Sequence, residues 1–108
     1  MTRAKPRRRL PRTLRSFSAH FPELWSSYQA MQRACDRSGP LTAKTRELIR
    51  IGIEVARKRH GGLIAHMVRA RRAGASTTEI YQAILLAAPL IGLPEVLDAF
   101  LIAEEQLG

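Results

Sequence analysis

"LTAKTRELIRIGIEVARKRH", residues 41–60, decides the fold. Leu48, Ile49, Ile51, Ile53, Val55 and Ala56 follow one another without a breaker apart from Gly52, which a helix tolerates. Thr42 stands where an N-cap is needed, because its hydroxyl can accept from an orphan N–H of the first turn. Arg57, Lys58, Arg59 and His60 crowd the other end, where the negative pole of a helix favours cations, and Gly61-Gly62 is expected to release the chain. The stretch therefore reads as a helix buried over much of its surface.

The flanking segments carry the same period. In "FPELWSSYQAMQRACDRSG", residues 21–39, Leu24, Trp25, Tyr28, Met31 and Cys35 form the apolar stripe of an amphipathic helix that Pro22 opens and Gly39-Pro40 closes. Cys35 on that stripe reads as a small buried residue rather than a nucleophile. A third helix is expected over about Leu63 to Ala73, stopping at Gly74. Ser76 and Glu79 have capping-box spacing and open a fourth, which Pro89 should kink or end because it lacks a backbone donor. Pro94 suits the first turn of a fifth helix, with Val96, Leu97, Phe100, Leu101 and Leu107 as its apolar set. No strand-like alternation appears. The expected fold is all-α, an antiparallel bundle of about five helices over residues 18–108.

Charge is unevenly placed along the 108 residues. Arg3, Lys5, Arg7, Arg8, Arg9, Arg12 and Arg15 supply +7 of the net +9 with no acid among them. Residues 1–17 read as a flexible basic arm, punctuated by Pro6 and Pro11. Its uses are those of any acid-free basic tail: solubility, nucleic-acid or acidic-partner binding, targeting, or subunit contact. The apolar fraction of 45% and the charged fraction of 25% are those of a soluble domain, and no apolar run reaches the ~18 residues of a membrane span. A single cysteine excludes an internal disulfide and fits a cytoplasmic setting. The near-continuous apolar faces of "AILLAAPLIG" and "LIRIGIEVA" exceed the needs of a small monomer and imply a homo-oligomer.

The candidate chemistry is sparse. His60 and His66 lack the i, i+4 spacing of a zinc helix, so no metal site is expected. No phosphate loop or nucleophile elbow is present, and no cofactor is implied. His66 falls at the margin of an apolar face; it is either a packing residue or the best proton carrier in the chain. Glu47 can pair with Arg50 or Lys44. Glu54 can pair with Arg50, Arg57 or Lys58, and reads as a solvated ion pair.

The combination of "LTAKTRELIRIGIEVA", His66 nineteen residues after Glu47, and "AGASTTEIYQAILLAAPLIGLPEVLDAF" resembles the carboxymuconolactone decarboxylase and alkylhydroperoxidase D superfamily over about residues 20–105. The peroxidase branch pairs a glutamate and a histidine with Cys-x-x-Cys. Here Glu47 and His66 match, but the cysteine positions fall on Arg59 and Gly62, so the resemblance is to the decarboxylase branch and thiol peroxidase activity is not expected. That branch implies loss of CO2 from a small, anionic, lactone-like carboxylate, with His66 as acid, Glu47 orienting it, and Arg59 or Arg50 holding a carboxylate. It also implies a trimer or hexamer. The chain departs from the pattern at Gln82, where members often carry a second acid, and at Pro89. The rival expectation is a non-catalytic oligomeric binding module whose arm contacts nucleic acid or an acidic partner.

Overall fold

The computed structural model describes residues 12–108, all helical apart from short connections, with no strand among them. Residues 1–11, most of the basic arm, lie outside the described residues. The chain divides after Gly39 into two units, which are described separately.

In the first unit, α1 spans Arg12–His20 and α2 spans Pro22–Asp36, with Pro22 in the first turn as expected. Helix α1 starts inside the stretch that composition assigns to the arm. Ring contacts run along this unit: Phe17 meets Phe21 at 5.6 Å and Trp25 at 6.4 Å between centroids, and Trp25 stacks on Tyr28 at 5.8 Å. Neither helix buries a residue, and Cys35 is exposed, contrary to the expectation of a buried thiol. Spacing identifies an apolar stripe but not whether anything covers it.

The second unit holds the core. It contains α3 (Ala43–Arg57), α4 (His60–Arg72), α5 (Thr77–Leu85), a single turn α6 (Ala88–Ile91) and α7 (Leu93–Leu107). Ile51 and Val55 of α3, Leu63 and Met67 of α4, Ile80 and Ile84 of α5, and Val96 of α7 are sealed against one another, with Ala70, Ala99 and Ala103 at the close approaches. Full burial of such aliphatic side chains stabilises by about 1.5–3 kcal/mol each, which is why this cluster dictates the packing.

Local signals set most helix starts. Thr42 Oγ1 accepts from Thr45 N–H at 3.2 Å and caps α3. Ser76 and Glu79 form the full capping box of α5: Ser76 Oγ accepts from Glu79 N–H at 3.1 Å, and Glu79 Oε1 accepts from Ser76 N–H at 2.9 Å. Pro89 does end the preceding helix, and it then opens the short α6.

The α3–α4 connection differs from the expected one. Helix α3 stops at Arg57, the turn is made by Lys58 in the left-handed region (φ 56°) and Arg59, and α4 begins at His60. Gly61 and Gly62 therefore lie inside the first turn of α4 rather than between helices. His60, expected at the cation-favouring end of one helix, sits at the positive end of the next. The anionic group at that end is Glu54, whose carboxylate lies so close to Gly62 that a Cβ there would collide with it.

Candidate active site

Helix α3 presents two carboxylates to α4. Glu47 and Glu54 are seven residues apart, two turns of helix, so both fall on one face. Glu47 meets His66 and Glu54 meets Gly62, so the order along α4 is reversed and the two helices are antiparallel. Each carboxylate is gripped by an arginine three residues on. Arg50 Nη1 donates to Glu47 Oε1 at 3.2 Å, and Arg57 Nη1 donates to Glu54 Oε1 at 2.8 Å. The stretch from 47 to 57 is thus a tandem Glu-x-x-Arg.

The first copy forms the candidate site. His66 Nδ1 lies 2.6 Å from Glu47 Oε2, with side-chain exposures of 17% and 12%. An ionised carboxylate only accepts, so Nδ1 carries the proton and Nε2 is left as the atom able to exchange a proton with a ligand. With one Glu47 oxygen on Arg50 and the other on His66, the imidazole is held in one tautomer and one orientation. The cavity of about 220 Å3 in this unit includes neither residue; the pair lies part-buried between the helices.

Two further candidates separate. Arg50 belongs to the pair's immediate surroundings. Arg59 is exposed at the α3–α4 turn, seven residues or about 10 Å of helix from His66, and the structure does not bring it to the pair. His60 and His66 share α4 but project about 120° apart, since six residues at about 100° each make 600°. Among the described residues no group of three His, Cys, Asp or Glu side chains is placed to hold a metal ion.

The expectation that Glu54 is a solvated partner is corrected. It is only 8% exposed, because Gly62 leaves room for its carboxylate against α4. The signal was present in the spacing: Glu54 stands seven residues after Glu47, and Gly62 stands four before His66, so one helical face of α3 must meet one of α4 at both levels.

The family model of the carboxymuconolactone decarboxylase family matches residues 21–105. The chain belongs to that family. No curated protein and no solved structure matches it. As a member of the carboxymuconolactone decarboxylase family, the chain places Glu47 and His66, nineteen residues apart in sequence, in direct hydrogen-bond contact. At position 62, where the peroxidase branch has a cysteine, the side-chain space is filled by the carboxylate of Glu54. No described helix of this family member is long and apolar enough to cross a membrane.

Proposed function

We propose that this carboxymuconolactone decarboxylase family protein is a cofactor-free decarboxylase or proton-transfer enzyme acting on a small carboxylated lactone, with His66 as the acid. The observation that carries the reading is the His66–Glu47 hydrogen bond at 2.6 Å. A histidine used only for packing does not require a part-exposed ring fixed by a carboxylate that is itself fixed by an arginine.

In the proposed step the bond between the ring carbon and the carboxylate breaks and CO2 departs. The electron pair enters the ring as a dienolate. The imidazolium form of His66 delivers its Nε2 proton to the ring carbon, and the neutral ring regains a proton from solvent. Glu47 holds the ring in orientation through Nδ1, and Arg50 adds positive potential beside the departing carboxylate and the developing enolate. Arg59 serves substrate binding only if a bound ligand extends to the α3–α4 turn. A thiol peroxidase is disfavoured, since the chain has one cysteine and that residue is Cys35, outside the Glu47–His66 unit.

A homo-oligomer, a trimer or hexamer as the resemblance implies, is part of the proposal. Leu86, Leu90, Leu93, Leu97 and Leu101 of the second unit are exposed, Leu90 to 85%, and such apolar area supports association between copies. The same surface also favours the rival reading, an oligomeric module without catalysis whose arm binds nucleic acid or an acidic partner.

A panel of carboxylated butenolides assayed against wild type and His66→Ala tests the choice. Turnover that falls roughly 100-fold or more in the variant supports the enzyme, in line with the usual contribution of a positioned acid. Turnover indifferent to the substitution removes His66 from the mechanism, and absence of turnover across the panel favours the binding module.

A further inference from the structure

The basic stretch and α1 precede residue 21, where the match to the family begins, so they lie outside the part of the chain that the family shares. After the seven cations of residues 1–15, the first acid in the sequence is Glu23. Helix α1 separates its cations from its apolar side chains. At about 100° per residue, Leu14, Phe17 and Phe21 fall within about 60° of one another, Arg12 lies nearly opposite them, and Arg15 stands about 130° away.

That apolar face is incompletely covered. No residue of α1 is buried, Leu14 and Phe17 are half-buried, and Phe21 is 55% exposed. Phe17 touches the rings of Phe21 and Trp25, so aromatic surface continues from α1 into α2. With nine residues α1 is about 14 Å long, too short to cross the ~30 Å of a bilayer core but long enough to lie along its surface.

A partner for this segment has to be anionic toward the arginines and apolar toward the rings, and the separation of the two faces decides its kind. Single-stranded nucleic acid is held where cations and aromatic faces line one groove, so that phosphates and stacked bases of one strand are met together. Here the rings point away from Arg12 and lie against one another. An acidic protein would match the charge but would need a groove shaped to the rings. A bilayer with anionic headgroups meets both faces without such a groove, because apolar side chains enter the acyl boundary while cations stay among the headgroups. We propose that α1, together with the basic stretch before it, lays the chain on an anionic lipid surface, with Phe17 and Phe21 turned into the acyl boundary.

Co-sedimentation of the full chain with vesicles of mixed phosphatidylcholine and phosphatidylglycerol, compared with vesicles of phosphatidylcholine alone, tests the proposal. The expected result is binding to the mixed vesicles only, weakened by salt, with a blue shift in the emission of Trp25, the one tryptophan. Affinity should fall roughly fivefold in Arg12→Gln, as the loss of one cation near an anionic surface predicts. It should fall roughly tenfold in Phe21→Ser, which removes apolar area. Phe21 holds the N-cap position of α2, which serine suits, so this substitution keeps the helices. Binding should be unchanged in His66→Ala, which keeps the test independent of the decarboxylase reading. Absence of binding to the mixed vesicles overturns the proposal, as does equal binding to phosphatidylcholine alone. Affinity indifferent to Phe21→Ser overturns it too, since the cations would then act without the apolar face. Binding of a single-stranded oligonucleotide that Phe21→Ser weakens, with both kinds of vesicle left unbound, would assign the face to nucleic acid instead.

Discussion

The carboxylate of Glu54 occupies the space that a side chain at Gly62 would need. The glycine is thus required by a contact between helices, since its own backbone is ordinary α-helix. Adding a methyl group there forces the buried carboxylate away from α4. Gly62→Ala should destabilise the chain by about 1–3 kcal/mol, as overpacking does, despite the better helix propensity of alanine. Urea unfolding measures it, and a Glu54→Ala background should remove most of the penalty. A penalty that persists there would mean that something other than Glu54 excludes the methyl.

Lys58 adopts φ 56°, the one positive φ among the described non-glycine residues. A left-handed conformation costs an L-residue roughly 1 kcal/mol or more, which glycine does not incur. The Lys58–Glu95 ion pair is largely exposed and returns less than that. Lys58→Gly should therefore raise the thermal midpoint, whereas Lys58→Val should lower it.

Glu79 titrates below the usual 4.5 of a glutamate, first because it accepts the Ser76 backbone N–H and then because Lys44 lies at 3.0 Å. A depressed folded-state value means that the unfolded chain takes up the proton more readily. The stability Glu79 contributes is thus present above pH 4.5 and is lost as pH falls through its lowered folded value. Stability measured from pH 6 downward should fall less steeply in Glu79→Gln than in wild type. Ser76→Ala, which removes the other half of the capping box, should cost about 1 kcal/mol at neutral pH.

The parts of this fold that were legible in sequence are those with local causes. Thr42, Ser76 and Pro94 mark helix starts because a cap or a proline acts within one turn. Gly61-Gly62 misleads for the opposite reason. A glycine pair signals backbone freedom, but here the sequence-local turn is made by Lys58-Arg59, and Gly62 answers a residue on another helix. Cys35 fails likewise, since the period of α2 says which residues share a face and not what covers it. For the site, the helical wheel alone leaves His66 at a margin. The resemblance singled out Glu47 and His66, which the fold then joins, whereas Arg59 belongs to the turn.

Helix α7 carries Leu93, Leu97 and Leu101 one turn apart beside its buried row of Val96, Ala99 and Ala103, and each of the three leucines is about half exposed. Covering the exposed half of each is worth on the order of 1 kcal/mol, so in the proposed oligomer the stripe would contribute several kcal/mol without involving Glu47 or His66. Leu97→Glu places a charge at its centre, where desolvation would cost more than the leucine returned. Sedimentation at tens of micromolar should show wild type as an assembly and Leu97→Glu shifted toward the monomer, with helical circular dichroism retained. A wild type that sediments as a monomer throughout would remove the oligomer from the functional proposal and leave the Glu47–His66 pair to act within a single chain.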